Sequence, residues 1–305
     1  MQPSIIKVSR PYLASGQIEL LQHQTGMAGP EGNQKKMQGF RLARGICRQL
    51  HFPINTFATA MVLFHRTTLF NPTKDLSLVV LVCSCILLAT KIEDTPKKCR
   101  DIVASAFKYR NHAASTKEID DLRLTVLNFE QRVLQTDVFD FRFSQAHQYV
   151  IKIAHTLKLA KKTASMAWTI ATDMYACEVA LKRPAHTTAF ACIVLAAKLL
   201  DEKIFPLNSA TYKSSRTAVN ECLSDLLKFY KANYHETLLS ALEIDARLFD
   251  KIYEPIRREQ ESQTTSFPQQ SYFGLAIRDW SVSETGTARY ILNWGIKNVG
   301  DELIS

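Results

Sequence analysis

Two long apolar runs dominate the pattern of hydrophobic and polar positions along the chain. The first, at 76–89, contains only two polar residues, both serines, and it leads into the sequence CILLATK at 85–91. Nearly the same letters, CIVLAAK, return at 192–198. A helix that is apolar on every side must be surrounded by other helices, and both runs are shorter than the ~20 residues that span a bilayer. We therefore predict two copies of one unit, each with a buried central helix inside a ring of amphipathic helices.

Around the first apolar run, apolar residues recur at intervals of three and four, which is typical of amphipathic helices. Asn55 or Thr56 is expected to cap the second helix of the unit, and Asp75 the central one. Thr95 is expected to cap the helix that follows, with Pro96 at its first position, where the missing N–H costs nothing. The first unit therefore reads as five helices joined by short turns.

The second unit repeats this plan less regularly. Helices are predicted at 145–157, 161–177, 184–200 and 218–233, and a weaker one between 207 and 212. The aromatic segment 139–143 (FDFRF) is predicted to be the connector, with its rings packed between the two units. A further amphipathic stretch at 238–259 is expected to be interrupted at Pro255.

These patterns predict an all-α protein of two tandem five-helix units. The expected divisions are an irregular N-terminal segment at 1–32, in which 12–13 and 18–21 suggest a short helix and 26–32 a glycine-rich loop, and a first unit at 33–141. They are followed by a second unit at 142–235, a helical extension at 236–259, and a linker with an aromatic tail at 260–305. Aromatic runs on both sides of Gly286 suggest a β-hairpin in the tail. Because a lone two-stranded hairpin is marginal in water, the tail is either disordered or paired with another surface.

Composition narrows the class of protein. Hydrophobic residues make up 46% of the 305 residues, with only 10 Gly and 10 Pro, which fits about two packed helical domains. The net charge of +9 admits nucleic acid or an acidic partner, but no dense block of Lys and Arg stands out, so a solvated basic surface is favoured. The seven cysteines form no C-x-x-C pair and predict reduced core thiols without zinc, as in the cytosol or nucleus. The first residues contain no long apolar core, so we expect neither a signal peptide nor a membrane segment.

The sequence carries no catalytic motif: no glycine-rich nucleotide loop, P-loop or H-E-x-x-H zinc motif occurs, and the eight histidines show no ligand-like spacing. We therefore expect no catalytic residue, metal or cofactor, and we expect His65 to lie in a core or interface. Two charges stand out instead, Lys91 at the end of the first central helix and Glu130 in the fifth helix. The helix dipole accounts for Lys91, but not for Glu93 and Asp94 directly after it. A cluster of both signs at the end of a buried helix is a candidate docking point for a partner.

Four short sequences resemble motifs of the cyclin family, and in particular of the transcriptional cyclins K and T. They are 64–66 (FHR), 91–102 (KIEDTPKKCRDI), 134–141 (LQTDVFDF) and 166–169 (MAWT). The second is the most specific, because it is similar to KVEETPKKCKDI over its whole length. The resemblance covers about residues 33–235 and identifies the two units as cyclin boxes. The length and the tail further resemble the cyclin subunit of the fungal kinase that phosphorylates the RNA polymerase II C-terminal domain.

The resemblance implies a non-catalytic regulatory subunit of a protein kinase. In cyclins, a lysine that ends the third helix of the first box and a glutamate in the fifth hold the regulatory helix of the kinase, and these match Lys91 and Glu130. The acidic residues that lie near the kinase activation segment match Glu93 and Asp94. The implied partners are a cyclin-dependent kinase catalytic subunit and a third subunit, with RNA polymerase II as the substrate of the complex. The implied location is the nucleus, with the cytoplasm as a second compartment.

Other features limit or compete with this interpretation. The first helix reads GFRLAR at 39–44, which does not match the M-R-A-I-L docking patch of cell-cycle cyclins. Trp280, Tyr290 and Trp294 in the tail are candidate contacts for the third subunit, because Trp and Tyr are favoured at interfaces. One alternative is a nucleic-acid-binding adaptor on the same fold, like transcription factor IIB, although no cysteine before Cys47 could form the usual zinc ribbon. Another is a helical scaffold without a kinase.

Overall fold

Residues 12–72, 76–137, 139–141, 144–202, 212 and 214–264 are described in the computed structural model of the chain, and their regular structure is entirely helical. The first half holds α1 (Ser15–Thr25), α2 (Gly29–Gln49), α3 (Ile54–Phe70), α4 (Leu78–Ile92), α5 (Cys99–Tyr109) and α6 (Thr116–Thr136). The second half holds α7 (Ala146–Thr156), α8 (Lys161–Asp173), α9 (Val179–Lys182), α10 (Ala185–Leu199), α11 (Arg216–Asn233) and α12 (Arg247–Thr264). Short 3₁₀ turns lie at Met174–Ala176, Tyr234–Glu236 and Leu239–Leu242. The predicted all-α class is confirmed, and the predicted hairpin of the tail lies outside the described residues.

The two apolar runs form the buried central helices α4 and α10. Every residue of α4 from Val80 to Thr90 is buried, and so is every residue of α10 from Thr187 to Ala197. α4 packs against α2, α3, α5 and α6, whereas α10 packs against α7, α8 and α11. The polar Ser84 is accommodated inside α4 because its hydroxyl donates a 3.0 Å hydrogen bond to the carbonyl of Val126 in α6.

The two halves share one continuous apolar core rather than two separate ones. Phe57 of α3 contacts Tyr175 edge to face, with ring centroids 6.3 Å apart. About two helical turns further along α3, the buried His65 places Nε2 2.9 Å from the carbonyl oxygen of Tyr175. Burial lowers the pKa of His65, so it is a neutral core residue, in agreement with the prediction. α3 therefore joins the first half to the second.

The N-terminal segment contains more helix than the sequence predicted. α1 occupies 15–25 and α2 begins at Gly29, inside the stretch expected to be a loop. The glycines serve the helix ends: Gly26 caps α1 in the left-handed conformation, with φ 74°. Gly32 lies so close to the backbone of Met27 that a Cβ would stand 1.9 Å from its carbonyl oxygen. Three glycines in seven residues were therefore a signal of a tight helix–helix corner.

Several predicted helix starts are displaced. α3 begins at Ile54, directly after Pro53, so neither Asn55 nor Thr56 is its cap. α5 begins at Cys99 rather than at Pro96. Thr95 instead closes the turn after α4, because its N–H donates a 2.8 Å hydrogen bond to the carbonyl of Thr90.

Two further predictions, about Pro255 and the aromatic connector, were wrong. Pro255 lies inside the continuous helix α12 and does not interrupt it. Phe139 and Phe141 are 59% and 43% exposed and contact each other, so these connector rings are not packed between the units. The predicted cap Asp75 lies outside the described residues, and so does the weak helix predicted between 207 and 212, apart from Tyr212.

The described cysteines are all free thiols. Cys47 and Cys222 are buried free thiols, and burial raises the pKa of each to about 12, so they remain protonated. In the described ranges, no cluster of three or more metal-ligating side chains occurs. Within the same ranges, every helix is too short or too polar to cross a lipid bilayer.

Candidate functional site

Lys91 at the end of α4 and Glu130 in α6 form an ion pair in which the lysine donates a hydrogen bond to each carboxylate oxygen. The Lys91 ammonium nitrogen lies 2.6 Å from Glu130 Oε1 and 2.8 Å from Oε2. Glu130 is 8% exposed because it lies on the core side of α6, between the buried Val126 and Val133. The Lys91 side chain, in contrast, is 55% exposed. The pair therefore marks the rim of the buried core, where a partner can reach it.

The position of Lys91 follows from its helix. α4 is buried from Val80 to Thr90, and Lys91 lies in its exposed last turn, where a cation interacts favourably with the helix dipole. Lys91 makes two hydrogen bonds, both to Glu130, and an ammonium has three donors. A half-exposed pair of this kind contributes at most about 1 kcal/mol to folding. The pair therefore leaves one N–H donor of the Lys91 ammonium available to a partner, and it contributes little to the stability of the fold.

Glu93 and Asp94, predicted as a pair, are separated by the turn after α4. Glu93 faces inward, where its Oε1 accepts hydrogen bonds from Thr59 at 2.6 Å and from Gln145 at 2.8 Å. Asp94 is exposed and has a φ of 51°, in the left-handed region that Asp tolerates better than most residues. The structure thus brings Glu93 into the junction of the two halves and leaves Asp94 at the surface.

Exposed leucines beside the ion pair were missed by the sequence analysis. Leu124 and Leu127 of α6 are 53% and 37% exposed, and Leu127 lies one turn before Glu130. The sequence of α6 does indicate them, because its apolar residues cover a wider stripe of the helix than its contacts with α4 and α5 can bury. Together with Lys91 and Glu130 they form an apolar surface with one ion pair at its edge. That composition is typical of a protein interface.

Gln145 was also missed as a site residue. It is 7% exposed, and its amide nitrogen bonds both Thr59, at 3.0 Å, and Glu93. No local signal marks such a residue, because its partners lie far away in the sequence. The tail residues Trp280, Tyr290 and Trp294 lie outside the described residues.

Two buried titratable side chains of the second half, Asp173 and His147, have displaced pKa values. Burial raises the pKa of Asp173 to about 6, although its carboxylate accepts the backbone N–H groups of Leu238 and Leu239. Burial lowers the pKa of His147 to about 4. Both side chains are at most 1% exposed, so neither can reach a substrate. These two groups are therefore structural rather than candidates for acid–base chemistry.

Comparisons with known proteins agree with this arrangement. The family model for the cyclin N-terminal domain matches residues 44–136. A CTD kinase subunit beta of Schizosaccharomyces pombe is 30% identical over 275 residues, which cover 87% of this chain and 80% of the relative. The CTD kinase subunit beta of Saccharomyces cerevisiae is 32% identical, and the match covers 73% of this chain and 70% of the relative. Human Cyclin-K is 32% identical over 54% of this chain and 29% of its own length.

Solved structures give the same result. A chain of the yeast RNA Pol II CTD kinase complex matches with a TM-score of 0.74 and 29% identity, over 83% of this chain and 85% of that chain. A chain of the CAK complex of Chaetomium thermophilum matches with a TM-score of 0.54 at 13% identity, over 85% of this chain and 94% of that chain, and supports the fold alone. The chain belongs to the cyclin family. The similarity extends over both halves, well beyond the first cyclin box.

Proposed function

We propose that this chain is the regulatory cyclin subunit of a cyclin-dependent protein kinase that acts in transcription by phosphorylating the RNA polymerase II C-terminal domain. The observation that carries the proposal is the Lys91–Glu130 pair, whose lysine side chain is exposed, beside Leu124 and Leu127. It lies in a chain that is similar, over most of its length, to CTD kinase beta subunits.

In the proposed complex, the apolar surface of α6 packs against the regulatory helix of the kinase. The free donor of Lys91 binds a kinase backbone carbonyl, and Glu130 accepts a backbone N–H from the same region. A kinase is active only when its Lys–Glu ion pair and its metal-binding Asp are both in place. A rigid helical platform that binds the active arrangement more tightly shifts the kinase toward it. The cyclin contributes binding energy and holds no catalytic group or cofactor.

The two acidic residues after Lys91 have different proposed roles. Asp94, which is exposed, contacts the kinase near its activation segment. Glu93 positions the end of α4 through Thr59 and Gln145 and acts on the kinase through Lys91. The proposed assembly includes a third subunit, with Trp280, Tyr290 and Trp294 as its candidate contacts, and its location is the nucleus.

The test is copurification of the kinase from the native organism with the tagged chain. A Lys91→Ala/Glu130→Ala variant is expected to lose the kinase and its activity on a C-terminal-domain peptide. The matched control is Arg216→Ala/Glu259→Ala, which removes a surface ion pair of 2.8 Å between α11 and α12. Circular dichroism should show both variants folded. Full retention of kinase by the first variant would sink the assignment of this site.

A further inference from the structure

Thr95 and Pro96 form the only Ser-Pro or Thr-Pro pair in the chain. The sequence contains 10 prolines, and each of the others follows a residue without a hydroxyl group. Two lysines, Lys97 and Lys98, come directly after the pair. Proline-directed protein kinases recognise a serine or threonine that precedes proline, and kinases select among such sites by the charges that follow. The segment 95–98 therefore has the chemistry of a phosphorylation site.

The backbone around Thr95 is open to a kinase. Residues 95–98 lie between the end of α4 and the start of α5 and are not helical. Pro96, Lys97 and Lys98 are exposed, and Thr95 is half-buried. Because a residue before proline favours an extended backbone, a kinase would not have to unwind a helix to reach the acceptor threonine.

One hydrogen bond restrains the Thr95 hydroxyl. Its Oγ1 lies 2.9 Å from Oγ1 of Thr56, a residue of α3 that is fully buried. The Thr95 side chain must rotate away from Thr56 before its hydroxyl can react. A hydrogen bond of this kind makes the rotated side chain about five to ten times rarer, which slows modification without preventing it. The Thr95 N–H can keep its 2.8 Å hydrogen bond to the carbonyl of Thr90 meanwhile.

We propose that Thr95 is a phosphorylation site of the free chain, and that its modification prevents the kinase subunit from binding. The modifying enzyme is a proline-directed protein kinase, which transfers the γ-phosphoryl group of ATP to Thr95 Oγ1. The bond between the γ-phosphorus and the bridging oxygen breaks, ADP leaves, and the hydroxyl proton passes to the catalytic aspartate of that enzyme. The effect on binding rests on the proposed function, which places the kinase subunit at Lys91.

A phosphate on Thr95 would change the surface that carries the candidate kinase site. It adds close to two negative charges, and it cannot stay against Thr56, because burying an unpaired dianion is too costly. It therefore faces the solvent, one residue after the exposed Asp94 and two after Glu93. A phosphate beside acidic residues in an interface weakens binding through charge repulsion and desolvation. The lysines after Pro96 can offset part of the charge, but the phosphate still occupies the surface next to Asp94.

Modification and assembly should exclude each other. Thr95 directly follows Asp94, which is proposed to contact the kinase subunit near its activation segment. A kinase subunit in that position covers Thr95 and shields it from a second kinase. Phosphorylation is therefore confined to chains that have not yet assembled, and it controls how much of the chain can enter the complex.

The first experiment measures phosphate incorporation. The purified chain is incubated with ATP and a recombinant proline-directed kinase, and the modified residue is identified by mass spectrometry. Phosphate is expected at Thr95 in the free chain. A catalytically inactive kinase subunit, added at about ten times its dissociation constant, should slow this modification about tenfold.

Two variants control the labelling, and circular dichroism should show both folded. Thr95→Val lacks the acceptor hydroxyl and should take up no phosphate at this segment. Pro96→Ala keeps the hydroxyl but removes the recognised proline, and it should lose most of the modification. An unmodified Thr95 in the wild-type chain, or equal modification of Pro96→Ala and the wild type, would overturn the assignment of this site.

The second experiment measures the dissociation constant between the chain and the inactive kinase subunit. The phosphorylated chain is compared with the same sample after phosphatase treatment, so that only the phosphate differs. Binding of the phosphorylated chain should be at least about tenfold weaker, and phosphatase should restore it. Dissociation constants within about twofold, or tighter binding after phosphorylation, would overturn the effect on assembly. Failure of the unmodified chain to bind any kinase would instead count against the proposed function.

Discussion

Gln145, directly before α7, donates a 2.8 Å hydrogen bond to the carboxylate of Glu93, directly after α4. The same amide bonds Thr59 Oγ1 at 3.0 Å, and Thr59 donates to Glu93 at 2.6 Å. These three residues close a ring between α3, the end of α4 and the second half of the chain. The ring fixes the turn that carries Lys91 on one side and Asp94 on the other, so the candidate kinase site depends on both halves.

The ring predicts an energetic coupling between Glu93 and Gln145. Either Glu93→Ala or Gln145→Ala should destabilise the fold by about 1–2 kcal/mol, because each leaves polar partners unsatisfied. The double variant should lose less than the sum, with a coupling of about 1 kcal/mol in a urea-denaturation cycle. Asp94→Asn is the matched control and should leave stability unchanged while it weakens kinase binding. Additive losses for Glu93 and Gln145 would contradict the ring.

A second prediction concerns the buried ion pair between Lys36 and Glu178, which are 2.9 Å apart with side chains 8% and 11% exposed. Burial acts to raise the pKa of Glu178, but the charge and hydrogen bond of Lys36, together with the neighbouring His65, lower the pKa overall. Lys36→Met should therefore cost about 3–5 kcal/mol, because it leaves a buried carboxylate unpaired. Lys36→Met/Glu178→Gln should recover most of the loss, since Gln22 can still donate to the amide oxygen. Equal instability of the single and double variants would argue against this account.

His147 gives a prediction about pH. Its Nε2 lies 3.0 Å from Thr172 Oγ1, whose own proton goes to the carbonyl of Trp168, so the imidazole is the donor. Burial lowers its pKa to about 4. A lowered pKa stabilises the fold above the unfolded value of about 6.5, and this contribution is lost as pH falls below it.

His147→Gln, which keeps a donor for Thr172, should remove that dependence. Relative to the variant, the wild-type free energy of unfolding should fall by about 2 kcal/mol between pH 7.5 and 5. Asp173 changes stability in the opposite direction, because its raised pKa favours the fold as pH falls toward 4, but it contributes equally to both proteins. Parallel pH profiles of the two proteins would show that His147 does not titrate in this way.

Glycines at the N-terminal corner give a fourth prediction with an internal control. Gly32→Ala would place a Cβ 1.9 Å from the Met27 carbonyl oxygen and should cost at least about 2 kcal/mol. Gly16→Ala in α1 has nothing within 4 Å of its Cβ and should stabilise the fold by about 0.5–1 kcal/mol. Thermal unfolding of the two variants should therefore shift in opposite directions. A Gly32→Ala protein as stable as wild type would contradict the tight corner.

Residues that act within one helix were predictable from the sequence, and residues that act across the fold were not. The all-round apolar character of α4 and α10 identified the two central helices, and Lys91 stood out because it ends one of them. The partners Thr59 and Gln145 carry no local signal, since their roles exist only where α3 meets the second half. The predicted helix starts near Thr95 and Gly29 were wrong for a related reason. A Thr-Pro or a glycine satisfies several turn geometries, and tertiary contacts select among them.

The most direct test of the central claim is the dissociation constant between the purified chain and its kinase subunit. It should be measured for the wild type, for Lys91→Ala/Glu130→Ala, and for the control Arg216→Ala/Glu259→Ala. The account predicts at least about a hundredfold weaker binding for the first variant, because a buried charge-assisted contact is lost, and no change for the control. If the three dissociation constants agree within about twofold, which corresponds to a difference in binding free energy of about 0.4 kcal/mol, the claim that this pair holds the kinase is contradicted.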